Sequence, residues 1–350
     1  MRSPRDAGDC VRLSTRSHRD RGPARWPARR ARRTPRYPAQ VTTTDGPARL
    51  ALATCAELPD LEPDDQLLRD ALVERGIAVD AVVWDDPTVD WATYRHVIIR
   101  STWDYTDRRD LFVDWARRVE ATSTLHNPAD VIAWNTDKTY LRDLEQAGLP
   151  IVPTIWLDPE RNFSARAIHT RFPAFGEFVI KPTVSAGSRD TGRYDASETP
   201  QRMLAITHAK NLLAVGRDVM LQRYLRAVDS VGETALVYLD GDFSHAVRKN
   251  ALLEGPFREG ELEGALYRGE VIAPREPSAA ERELADRTME TLASLFPQLG
   301  APFLYARVDL IPDDEGTPVI LEVELTEPSL FLEHGPGSAQ RAADAVAALL

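Results

Sequence analysis

The stretch FVIKPTVSAGSRDTGRY, residues 178–194, ends an apolar run on Lys181 and continues with small, hydroxyl and acidic residues. A lysine fixed at a strand end over such a loop is a phosphate-reading device. The ammonium supplies charge, and backbone N–H groups with the hydroxyls of Thr183, Ser185 and Ser188 around Gly187 can wrap oxygens. The G-x-x-x-x-G-K-[ST] loop is absent, as are the H-R-D and D-F-G partners that accompany a kinase strand lysine. A second cluster lies in LYARVDLIPDDEGTPVILEVEL, where two alternating runs flank a turn-rich PDDEGTP and predict a β-hairpin. A turn centred on Glu315 and Gly316 sets Asp309 opposite Glu322 and Arg307 opposite Glu324, and the spacing of two keeps all four on one face. Three carboxylates this close repel unless cations intervene, and their hard oxygens suit magnesium shared with substrate phosphates. The competing reading is an exposed hairpin face with cross-strand ion pairs.

The elements that must position these residues follow from periodicity. ARLALATC, PDDQLLRDALVERG, IAVDAVVW and RHVIIR alternate strand and helix, so residues 48–128 read as a small doubly wound α/β domain. Ligands sit beyond the carboxyl ends of such strands, which places RSTWDY at a mouth. There Arg100 offers a carboxylate-matching fork and Trp103 a stacking face; the plainer alternative makes Trp103 a core aromatic and pairs Arg100 with Asp104. No G-x-G-x-x-G follows these strands. In NTDKTYLRDLEQAGLP, Asn135 or Thr136 caps a predicted helix that Gly148 stops. Lys138 falls in its first turn, at the positive end of the helix dipole, which points to a nearby anion unless the side chain is simply exposed. Strands IVPTIWL and FVIKP, a helix over ETPQRMLAITHAKNLLAVG and the strand DVMLQRYL complete this unit, residues 129–220, and residues 221–350 form the last.

Composition narrows the partners. At 350 residues, 43% hydrophobic and 28% charged, the chain can bury two or three packed units. A net charge of −11 argues against a nucleic-acid partner, and no apolar run approaches the roughly 18 residues of a membrane span. Cys10 and Cys55 form neither a disulfide framework nor a metal knuckle, which suits a reducing cytoplasm. Residues 1–47 are rich in Arg and Pro without apolar periodicity, so this basic tail is expected to be disordered. The histidines show no H-E-x-x-H and have no cysteine partners, which excludes the usual zinc sites; His126 and His334 could lie near a cleft but read more plainly as loop or core residues.

From Asn135 to the C-terminus the order of motifs resembles the ATP-grasp ligases: Lys138, Lys181 with its loop, LQRYL, VGETALVYLDGDFSHAVRKN, YARVDL and LEVEL. In detail ATC, RSTWDY, WNTDK and VIKPTVSAGS are most similar to the branch containing the O-ureidoserine cyclo-ligase of cycloserine biosynthesis. The resemblance implies an α/β (α+β ATP-grasp) fold, with the doubly wound domain followed by two α+β subdomains that clamp ATP. It implies adenine contacts from the backbone of Gln222, Tyr224 and Leu225, and ribose contacts from Glu233 with Asp229 as competitor. Lys249 returns to the phosphates with Asn250 beside it, and Asp309, Glu322 and Glu324 bind magnesium, two ions with ATP. Many ATP-grasp proteins have Asn where Glu324 stands. The implied reaction moves the γ-phosphoryl group onto a small carboxylate, with Lys138, Lys181 and Lys249 neutralising charge, Arg307 steadying the oxyanion and an amine displacing phosphate. Arg100, Trp103, Arg307 and Ser329 would select the acceptor. Two alternatives share these residues: a peptide-type ligase joining two substrates, and an ATP-binding regulatory module without turnover.

Overall fold

The computed structural model describes residues 49–258, 266 and 271–350, all within one unit that spans Pro47–Leu350. The expected disorder of residues 1–47 lies outside the described residues. β1 (Leu50–Thr54) is buried along its whole length, as a strand covered on both faces must be. It is followed by α1 (Pro63–Glu74), β2 (Val79–Val83), β3 (His96–Ile99), α2 (Arg109–Glu120) and β4 (Thr124–His126). The four strands form a parallel sheet in the order β2-β1-β3-β4. A single 3-10 turn, Trp103–Asp107, leaves the carboxyl end of β3. Trp84, Phe112 and Trp115 pack on one face of the sheet, and α1 covers the other.

Next come α3 (Ala129–Asn135), a 3-10 turn at Lys138–Tyr140 and α4 (Leu141–Gln146). Neither Asn135 nor Thr136 is the cap. Asp137 Oδ1 accepts the Thr139 N–H at 3.0 Å, while the Asn135 amide donates to Val323 O and accepts from Leu325 N–H, both at 2.7 Å. A helix starting at residue 135 would forfeit those two bonds, so the chain breaks there and restarts. Gly148, at φ +86°, closes α4 in a conformation that glycine adopts without penalty. β5 (Thr154–Leu157), α5 (Ala165–His169), β6 (Glu177–Pro182), β7 (Gly192–Asp195), α6 (Thr199–Ala214) and β8 (Val219–Arg223) follow. Their sheet is antiparallel in the order β5-β8-β6-β7. β8 crosses the expected border at residue 220, so this layer ends after Arg223.

The last layer holds α7 (Val228–Val231), β9 (Glu233–Leu239), β10 (Asp242–Lys249), β11 (Ile272–Pro274), α8 (Ala279–Leu295), β12 (Tyr305–Pro312), β13 (Pro318–Glu324) and α9 (Ser338–Ala347). Its antiparallel sheet runs β11-β10-β9-β12-β13. α9 packs back against α1. Asn127 joins the first and last layers: its amide donates to Tyr305 O and Leu325 O and accepts from Leu304 N–H. Among the described residues no helix is long and apolar enough to cross a membrane.

Candidate active site

Side chains from all three layers line a cavity of about 490 Å3. The hairpin β12–β13 forms its floor. The observed register pairs Arg307 with Glu324 and Asp309 with Glu322, but the turn is one half-residue away from the expected centre. Pro312 faces Pro318 across a turn closed by Asp313 N–H to Thr317 O, so an unbroken ladder would set Asp309 against Leu321. A bulge between Asp309 and Leu310 makes Leu321 the extra residue and restores the four-residue patch.

Protein cations occupy that patch. Arg307 holds Asp309 bidentately, Nε to Oδ1 at 2.8 Å and Nη2 to Oδ2 at 3.0 Å, and also pairs with Glu324 Oε1. Its Nη1 donates to Ser329 O at 3.0 Å. Lys249 Nζ lies 3.1 Å from both Asp309 and Glu233, and Lys138 Nζ 2.9 Å from Glu322. Burial would raise the Asp309 and Glu322 carboxyls, but Arg307 with Lys249, and Lys138 with Lys181, hold them below the usual range. Glu324 is pushed up to about 8, by burial first and then by Glu322 and Asp309 against the pull of Arg307. Glu322 Oε2 and Glu324 Oε2 accept no hydrogen bond among the described residues, whereas both Asp309 oxygens are engaged. Among the described residues no three acidic, His or Cys side chains converge to hold a metal alone. Two free carboxylate oxygens fit magnesium, which keeps several waters and takes the rest of its shell from phosphates.

Lys181, near the end of β6, lines the same cavity. Its ammonium has no ion pair within 4 Å among the described residues, and burial, reinforced by Lys138 and Lys249, lowers it to about 8. An incoming polyanion is the partner that such a lysine lacks. The loop after it also lines the cavity with Ser185, Gly187 and Ser188; Lys138 Nζ donates to Ser185 O at 2.5 Å, and Ser185 Oγ to Arg189 O at 2.9 Å. Gly187 and Ser188 both have positive φ, +58° and +60°, which turns the backbone tightly there. Arg217 fixes the loop from behind through Asp190 and Val184 O.

At the far end Val152, Val179, Leu225, Val228, Ile311 and the bulge residue Leu321 build an apolar slot. The Gln222 amide donates to Thr154 Oγ1 at 2.8 Å and the Tyr224 N–H to Glu177 O at 2.9 Å, while the Leu225 N–H has no acceptor among the described residues. Glu233 lines the cavity and pairs with Lys249. Asp229 does not: Arg193 and the Tyr224 hydroxyl engage it outside the cavity, which removes it as a ribose candidate. Asn250 likewise turns away, onto Arg248.

The opposite end is formed by Trp103, Tyr105, Glu327, Ser329, Phe331 and His334, with Glu62, Asp64 and Glu333. Trp103 is placed as expected and donates from Nε1 to Glu327 O at 3.0 Å. Arg100 is not. Only 1% exposed, it pairs with buried Asp65 at 2.8 Å, donates to Pro328 O and lies over the Tyr305 ring, so the strand-end arginine is interior glue rather than a substrate fork or a partner of Asp104. Glu327 is the residue that motif reading passed over. It directly follows the hairpin pattern in LEVELTEPS, and a carboxylate so close to two apolar strands was the available signal. His126 stacks on His96 away from the cavity.

A parallel α/β layer followed by two antiparallel layers, with lysines and carboxylates meeting in one cavity, defines the ATP-grasp ligase class. The family described as D-cycloserine synthetase DcsG, N-terminal domain, matches residues 50–127. Cycloserine biosynthesis protein DcsG of Streptomyces lavendulae is 35% identical over 306 residues, 85% of this chain and 97% of that protein, and the chain belongs to the DcsG family. The crystal structure of D-cycloserine synthetase DcsG superposes with a TM-score of 0.77 at 34% identity, covering 86% of this chain and 99% of that one. ATP-grasp ligase PsnB, solved with a phosphomimetic variant of its minimal precursor, Mg and ADP, shares the fold at a TM-score of 0.54 and 18% identity, covering 86% and 98%.

Proposed function

We propose that the chain uses ATP to activate a small amino-acid-derived carboxylate as an acyl phosphate, which a nitrogen of the same molecule then attacks to close a ring. The observation that carries this reading is the cavity in which Lys138, Lys181 and Lys249 meet Arg307, Glu322 and Glu324, with Asp309 buried behind Arg307 and Lys249. The apolar slot takes adenine, with the Leu225 N–H as donor and Glu233 on the ribose. Lys181 and the Ser185–Ser188 loop take the phosphates. Glu322 and Glu324, with Asp309 behind them, would hold two magnesium ions, which supply charge neutralisation at the β- and γ-phosphates. Arg307 steadies the oxygen that gains charge as the acyl carbon becomes tetrahedral. Trp103 and Ser329 bound the acceptor end. A cytoplasmic location suits the buried free thiol of Cys55.

A screen of magnesium-dependent ADP release over amino acids and their derivatives, O-ureidoserine included, tests this reading with and without hydroxylamine. Ring closure predicts ADP release with one organic substrate and a hydroxamate when hydroxylamine is added. Release that needs two substrates identifies an intermolecular ligase. ATP binding without release in every mixture identifies a regulatory module.

A further inference from the structure

We infer that the Glu327 carboxylate, positioned by Trp103 and Tyr105, receives the proton of the attacking nitrogen. The inference rests on the ligase reading above and assigns the step that reading leaves open. An acyl phosphate attacked by a nitrogen needs a proton acceptor: the lone pair forms the C–N bond, the C–O bond to phosphorus breaks with its electrons leaving on phosphate, and the N–H proton must go to a base. Lys138, Lys249 and Arg307 are cations in ion pairs and cannot serve. Asp309, Glu322 and Glu324 each face one of those cations.

Glu327 differs from them. It is 9% exposed, lines the cavity beside Ser329 and Trp103, and has no ion pair within 4 Å among the described residues. The Trp103–Asp107 turn stands against it: the Trp103 indole donates to its carbonyl at 3.0 Å, and the Tyr105 side chain lines the cavity near enough to act on its carboxyl. The first layer thereby sets the position of a carboxylate in the last. Lys138 and Arg307 are near enough to act on it electrostatically, so it lies within the same charge network as the phosphate end. Burial raises it to about 7, in the range where a carboxylate both is ionised and holds a proton well. At this end Glu62 accepts the Asp64 N–H at 2.8 Å and Asp64 the Glu333 N–H at 3.1 Å, while the second Asp64 oxygen has no partner among the described residues and burial raises that carboxyl to about 6, which makes Asp64 the rival base. His334 and Glu333 also line the cavity at this end, and Lys181 lines it with the phosphate-side loop.

The test compares Glu327→Gln with the parent protein on the substrate chosen by the ADP-release screen, reading closed product and, in parallel, hydroxamate formed with hydroxylamine. Hydroxylamine is neutral and arrives from solvent, so it reports acyl phosphate formation without the internal base. Hydroxamate within about threefold of the parent and product lowered by roughly 100-fold or more support the inference. Tyr105→Phe should show the same split at smaller size, which keeps the test alive if the Gln variant folds poorly. Unchanged product in Glu327→Gln, or product lost only in His334→Gln or Asp64→Asn, overturns it. So does an equal fall of product and hydroxamate, which would move Glu327 to phosphoryl transfer. A parent that releases no ADP in any mixture defeats the ligase reading instead, before any variant is made.

Discussion

Replacing Asp65 by Asn isolates what Arg100 does. The two residues are 2% and 1% exposed and meet at 2.8 Å, and Ser101 Oγ adds a 2.6 Å bond to the other Asp65 oxygen. Arg100 Nη1 has no acceptor among the described residues, so Asp65 is its main compensation. Asn keeps the shape and removes the charge, leaving a guanidinium in the interior. Breaking one side of such a pair costs about 3–5 kcal/mol. At roughly 2 cal/mol/K per residue, a unit of about 300 residues has an unfolding entropy near 0.6 kcal/mol/K, so the midpoint should fall by about 5–8 °C. Calorimetry measures that fall. The apolar pair Asp65→Leu with Arg100→Met should recover most of it, because neither charge is then buried. ADP release at saturating substrate should stay within about threefold of the parent while the protein is folded. An unchanged midpoint with a tenfold higher KM for the carboxylate would refute the reasoning and return Arg100 to the substrate.

Lys181→Met should weaken ATP by roughly tenfold or more in calorimetric titrations and leave adenosine binding as it was, since only the phosphates meet the ammonium; equal ATP affinity would remove the loop from the phosphates. Glu322→Gln should lower ADP release by about two orders of magnitude or more and, without metal, lower stability by about 1 kcal/mol, because Lys138 loses its 2.9 Å partner. A metal-free rise in melting temperature would show that repulsion among the carboxylates outweighs that pairing. For pH, burial pushes His208 down to about 4, so the folded state keeps it neutral while the unfolded chain protonates it near 6.5. Its contribution is complete above that value and is lost as pH falls from about 6.5 toward 4. Relative to His208→Gln, the parent should therefore lose about 2 kcal/mol between pH ~7 and ~5 in urea unfolding; a constant difference would show that His208 is protonated in the fold.

The layers were legible where burial dictates pattern. β1 reads as an unbroken apolar run because both its faces are covered, and α6 and the two strands of the β12–β13 hairpin lie within the stretches read for them. The cavity residues that carry charge were legible because a lysine at a strand end and carboxylates two apart are local facts. What failed depended on partners distant in the chain. Asn135 resembles a cap, but its amide is claimed by residues nearly 190 positions away. Arg100 and Asp65 are 35 residues apart and their pairing leaves no local mark. The Leu321 bulge offset an error in the turn centre, so the right pairs came with the wrong turn. Glu327 was missed because its setting comes from the Trp103 turn in another layer, whose indole donates to the Glu327 carbonyl.

Transfer of oxygen tests the central claim most directly. The carboxylate substrate is labelled with 18O in both oxygens and turned over with magnesium and unlabelled ATP, and the released inorganic phosphate is analysed by mass spectrometry. Activation as an acyl phosphate carries one carboxylate oxygen onto phosphorus, so each phosphate should contain one 18O in step with each product formed. Phosphate that leaves unlabelled while product accumulates would mean that the γ-phosphoryl group goes to water and never to the carboxylate, and would contradict the account.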